Sequence, residues 1–92
     1  SFCGGYHGDT FGAMAAAGKN HFNRPFWPYL FEVQSIIPPL PHQEEDSWKE
    51  FERALEIGEI GAFIFEPLIQ GAGGMRLHCG KILAQMIRTC HA

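Results

Sequence analysis

The spacing of apolar and polar positions changes several times along the chain, and each change marks an element. Residues 1–5 are a short apolar run into Gly4-Gly5, which predicts the end of a strand. From Asp9 a helix is predicted: Asp9 or Thr10 can cap it, Phe11, Met14 and Ala15 share one face, and Gly18 closes it. Residues 19–29 mix polar and aromatic side chains, and Pro25 and Pro28 predict an irregular loop. "FEVQSII" (31–37) has β-rich composition and is stopped by Pro38-Pro39-Leu40-Pro41. "HQEEDSWKEFERALEIGE" (42–59) carries the clearest helical period. It has an acidic first turn, Ser47 and Glu50 at capping-box spacing, a stripe of Trp48, Phe51, Ala54 and Leu55, and Gly58 at its end. "IGAFIFE" (60–66) is apolar almost without interruption, the pattern of a parallel strand buried on both faces. After a second glycine-rich loop, "KILAQMIRTC" predicts an amphipathic helix with Ile82, Leu83, Met86, Ile87 and Cys90 inward.

The resulting order, β, α, loop, β, α, β, loop, α, predicts an α/β fold with a mainly parallel sheet covered on both faces through right-handed crossovers. That topology changes the meaning of two glycine-rich stretches, "GGYHGDTFGAM" (4–14) and "FEPLIQGAGGM" (65–75), because each follows a predicted strand directly. Ligands of open α/β sheets bind at the carboxyl ends of the strands. Tyr6, His7, Asp9 and Glu66 are therefore expected on one sheet edge.

Composition narrows the classes. Hydrophobic residues make up 46% and charged residues 18%, enough for a core and too apolar for a disordered segment. A net charge of −3 gives no electrostatic reason to expect nucleic acid or an anionic membrane as partner. No apolar stretch approaches the roughly 20 residues that span a bilayer. Cys3, Cys79 and Cys90 are an odd number without a C-x-x-C pair, so neither a disulfide framework nor a structural zinc site is indicated, and the expected setting is reducing and cytoplasmic. His7, His21, His42, His78 and His91 are scattered, with no pair four apart on a helix, and read as surface histidines, with the neighbouring cysteines as small buried thiols. With 92 residues the chain is one domain at most. It opens on Ser1 rather than methionine and ends inside a predicted helix, so the expectation is an internal segment of a longer polypeptide.

Neither glycine run fits a nucleotide loop. G-x-G-x-x-G is absent, and between Gly74 and Gly80-Lys81 five residues stand where a P-loop has four, with Ile82 in place of Ser or Thr. No G-x-S-x-G elbow exists for nucleophilic hydrolysis. Tyr6, between glycines, has two readings: a ring laid against a planar ligand with its hydroxyl free, or a core tyrosine at a tight turn. Asp9 is an N-cap or a site residue, and His7 orients a ligand or holds a turn. Glu66 closes an apolar run, where a carboxylate is costly unless paired. It marks a site or reaches solvent at the strand end.

Taken together, "YHGDTFGAM" and "FIFEPLIQGAGGM" resemble the class III pyridoxal-phosphate aminotransferases of fold-type I, in the right order and over essentially the whole chain. Asp9 and Ala72 make the runs similar to the S-adenosylmethionine-using branch of biotin synthesis, whereas ornithine-type relatives carry arginine and glutamate there. The resemblance implies part of a three-layer α/β/α large domain, 1–92 being one incomplete domain. It also implies pyridoxal 5'-phosphate as cofactor, a homodimer, and transamination from S-adenosylmethionine to 8-amino-7-oxononanoate. Tyr6 would stack near the cofactor ring and line the substrate pocket. Gly5, His7 and Gly8 would shape the cofactor loop, Asp9 would support the substrate pocket, and Glu66 would lie below the cofactor with Gln70–Gly74 continuing the wall. No catalytic residue is expected in the chain. Its lysines, Lys19, Lys49 and Lys81, do not match the position that carries the cofactor, so the stretch alone is expected to be inactive. Another class III enzyme of ω-amino acid type, or a non-catalytic α/β module, remains open.

Overall fold

The computed structural model describes residues 1–92. Helix α1 (Phe11–Ala17) starts where the sequence places it: Thr10 is the cap, its Oγ1 accepting from the Ala13 N–H at 3.2 Å. It ends at Gly18, whose φ of 90° releases the chain from helical geometry. The following loop holds more order than its prolines suggest. Arg24–Tyr29 forms a 3₁₀ helix, because Pro25 falls in its first turn, where no donor is required, and the Phe26 and Leu30 amides still close three-residue turns onto Asn23 and Trp27. Asn23, 5% exposed, anchors it by accepting from the Asn20 amide and the Trp27 indole.

Helix α2 (Glu44–Ile57) has its predicted acidic first turn and its Gly58 stop, the glycine lying in the left-handed region at φ 76°. The capping-box reading is incorrect. Ser47 and Glu50 lie inside the helix and grip a neighbouring segment: Ser47 Oγ donates to the Ile37 carbonyl at 2.7 Å, and Glu50 Oε2 accepts from the Ile37 N–H at 2.7 Å. Helix α3 (Gly80–His91) buries Leu83 and Met86 with Ile82 partly covered, but Ile87 and Cys90 are exposed, because α3 offers only a narrow stripe to the rest of the chain.

One core joins these parts. Phe2, Ile36, Phe51, Ala54, Leu83 and Met86 are buried together, with Trp48, Leu55, Phe63 and Phe65 against them. Phe2 sits at its centre, edge-on to Phe63 at 5.1 Å. Full burial of each such aromatic or aliphatic side chain stabilises by about 1.5–3 kcal/mol.

The sheet differs most from expectation. The first two predicted strands reduce to one parallel bridge, Phe2 with Ile36, made by the Cys3 amide to the Ile36 carbonyl at 2.8 Å and the Ile36 amide to the Ser1 carbonyl at 2.9 Å. Residues 59–66 pack against Phe2 through Phe63 and Phe65 but join no backbone ladder. Nor is that run buried on both faces: Phe63 and Phe65 pack inward, while Ile60 and Ile64 are exposed, since nothing in these residues covers the second face. The regular pairing is antiparallel instead, β1 (Ile69–Gln70) with β2 (Arg76–Leu77), in register Ile69 to Leu77 and Gln70 to Arg76. This hairpin ties off the second glycine run.

Candidate functional site

The two glycine runs, some sixty residues apart in sequence, lie against each other. Gly73 packs so closely on the Gly4 carbonyl that no Cβ fits between them. Gly4 itself has a φ of 77°, and a side chain there would collide with the Arg76 guanidinium. These glycines serve backbone-to-backbone approach.

Glu66 makes the junction. One carboxylate oxygen accepts from the Tyr6 N–H at 2.8 Å and the other from the Gly71 N–H at 3.0 Å. The carboxylate ending the apolar run is thus paired with the backbone of both loops, which resolves the cost its position implied. Partial burial pushes its pKa up, but the two amides, with His7 and His78 nearby, outweigh that and hold it below the ordinary carboxylate value. Each oxygen thus holds one backbone amide, and Glu66 ties the Tyr6 backbone to the second glycine run.

Tyr6 is half exposed. It lines a cavity of about 530 Å³ together with Gly4, Gly5, Ala72 and Gly73. Because Thr10 takes the capping role, the Asp9 carboxylate is left for the Tyr6 hydroxyl. As acceptor first and as charge second, it raises the phenol's pKa. His7 folds its ring back toward Gly5, and its Nε2 is buried without a partner. Gly8, at φ 122°, allows the turn from the strand end into α1.

Sequence reasoning missed three features. His78 is not a surface histidine: it is 8% exposed, edge-on to Phe2 at 5.1 Å, with neither ring nitrogen bonded. Burial, and secondarily the Arg76 charge, lower its pKa against the opposing pull of Glu66. Lys19, Asn20 and His21, assigned only to a loop, share the cavity with Tyr6. Arg76 bonds Gln70 Oε1 at 2.6 Å, and Gln70 Nε2 reaches the Cys3 carbonyl at 2.9 Å, a network that no local pattern reveals.

The model of the aminotransferase class-III family matches residues 1–92. The chain belongs to the class III aminotransferase family. Membership carries the α/β fold class, of which these residues display the helices and a two-stranded sheet. Among curated relatives, an adenosylmethionine-8-amino-7-oxononanoate aminotransferase of Synechococcus elongatus is 40% identical over 100 aligned positions, covering 100% of this chain and 24% of that protein. A protein of the same name from Mycobacterium leprae is 33% identical, covering 95% of the chain and 21% of the relative. An acetylornithine aminotransferase of Methanopyrus kandleri is 31% identical, covering 98% of the chain and 21% of the relative. The class III chain therefore spans a quarter or less of the length of these relatives. No helix in it is long and apolar enough to cross a membrane.

Proposed function

We propose that these residues are part of the cofactor-binding large domain of a pyridoxal-phosphate-dependent aminotransferase. Its reaction transfers an amino group from S-adenosylmethionine to 8-amino-7-oxononanoate in biotin synthesis, in the cytoplasm. The observation that carries the reading is the Glu66 junction, which brings the two family-bearing runs together and holds Tyr6 at a cavity.

The residues suit the cofactor. Tyr6 offers a half-exposed ring to a flat ligand, the glycines beside it leave room for close approach, and His7 keeps an unpartnered Nε2 in the same loop. Tyr6, His7 and Gly8 would border the cofactor, with Glu66 fixing the Tyr6 backbone from behind. When bound, the cofactor supplies the electron sink for moving the amino group. Tyr6 and Asp9 act on the substrate side: with its proton directed to Asp9, the phenol presents an acceptor oxygen at the pocket wall. No catalytic residue is assigned within the chain. In the intact enzyme the mainly parallel three-layer sheet would be completed by strands beside residues 59–66, and the homodimer would place sites at its interface.

The test supplies the intact protein with pyridoxal phosphate, S-adenosylmethionine and 8-amino-7-oxononanoate. Diamino product is expected, and Tyr6→Ala should alter cofactor absorbance and lower turnover more than Tyr6→Phe. Turnover only with ω-amino acid donors would replace the biotin assignment by a different class III activity. Absence of turnover with every donor would leave a non-catalytic module.

A further inference from the structure

We propose that Arg76, acting through Gln70, is a positioning residue for Tyr6, an inference resting on the reading that Tyr6 faces the cofactor. Gln70 is 1% exposed, and both ends of its amide are committed: Oε1 accepts from Arg76 Nη2 at 2.6 Å, and Nε2 donates to the Cys3 carbonyl at 2.9 Å. A guanidinium only donates, so Arg76 dictates which end of the amide faces it. The NH₂ is thereby turned toward Cys3. Arg76 Nη2 also reaches the same carbonyl at 3.4 Å.

The residues after that carbonyl are Gly4, Gly5 and Tyr6, and the glycines have no side chains to restrict them. Besides the Cys3 N–H on the Ile36 carbonyl and a long Gly5 N–H contact to the Phe2 carbonyl at 3.4 Å, segment 3–6 is held by side chains at two points, the Cys3 carbonyl by Gln70 and the Tyr6 N–H by Glu66. Arg76 is half-buried, its Nε has no partner, and the only ion pair of the chain is Lys49 with Glu45. Its charge is thus partly desolvated with no acid to compensate, a cost offset only by the oxygens of Gln70 and Cys3. Removing Arg76 frees the Gln70 amide to turn over and leaves the Cys3 carbonyl without its side-chain donors, while the Cys3 N–H stays on Ile36, so the Gly4-Gly5 peptides can rotate and shift Tyr6 about the Glu66 contact.

The test uses the intact holoenzyme and reads kcat, KM and the visible circular dichroism of bound pyridoxal phosphate. Arg76→Met is expected to lower kcat about tenfold, the worth of one charged hydrogen bond carried to the barrier. KM should move less, and the cofactor band should change as it does in Tyr6→Phe. In a Tyr6→Phe background the same substitution should add little, and Arg76→Lys should restore part of the loss. Gln70→Glu, isosteric but unable to donate to the Cys3 carbonyl, should behave like Arg76→Met and replaces it if that variant does not fold. A cofactor band unchanged while kcat falls, or a full tenfold effect persisting without the tyrosine hydroxyl, overturns the role. An unmodified enzyme with neither cofactor band nor turnover would instead refute the aminotransferase reading itself.

Discussion

Replacing Glu66 by glutamine changes no volume and removes one of the two acceptors that join the glycine runs. The single amide oxygen can serve either the Tyr6 or the Gly71 N–H, and the NH₂ then faces the other donor to donor. A hydrogen bond to a charged group contributes about 1.5–3 kcal/mol when shielded. The Tyr6 bond is exposed and the Gly71 bond only partly buried, so water recovers much of this, leaving a combined loss of about 1–2 kcal/mol. Local opening should become about 5–30 times more frequent. Hydrogen exchange of the intact protein measures it, in peptides covering residues 4–14 and 65–75, with α2 as an unaffected internal reference. The pH dependence has a definite sign. Because the folded pKa of Glu66 lies below its ordinary value of 4.5, its contribution is complete above that value and is lost as pH falls through the depressed one. The difference between wild type and Glu66→Gln should thus be constant near neutrality and close only in acid. Equal exchange in both proteins would refute the junction. A difference that fades between about pH 8 and 6 would assign the coupling to a histidine instead.

Two further outcomes follow from buried polar groups. Ser47→Ala leaves the part-buried Ile37 carbonyl without its 2.7 Å partner, costing about 1 kcal/mol. Faster exchange around the Phe2–Ile36 bridge should report it, and an unchanged bridge would show that Glu50 alone holds Ile37. His78 has a folded pKa below its ordinary 6.5, so the protein should lose stability as pH falls from there through the depressed value. His78→Phe, which keeps an aromatic ring against Phe2, should flatten that acid slope in a thermal melt, and an unaltered slope would place its origin elsewhere.

The local signals were legible in the sequence because neighbouring residues carry them. The α2 stripe of Phe51 and Ala54, the Gly18 and Gly58 stops, and the need of Glu66 for partners all follow from residues within a turn or two of each other. The errors share the opposite origin. Ser47 and Glu50 have capping-box spacing, yet a capping box and a clamp on a distant backbone look identical until Ile37 is seen beside them. His78 reads as polar, and only the hairpin folding it onto Phe2 buries it.

Period, capping chemistry and motif, all properties of short contiguous stretches, were enough for the three α-helices, the glycine punctuation and the family, though not for the 3₁₀ turn at Arg24–Tyr29. Tertiary structure alone decided which groups meet. The carboxylate of residue 66 meets the amide of residue 6, and the amide of residue 70 meets the carbonyl of residue 3. Such contacts depend on loop closure over some sixty residues, which no local period encodes. The glycine runs advertised room for a ligand, and the folded chain shows that part of that room is used to let two backbones touch.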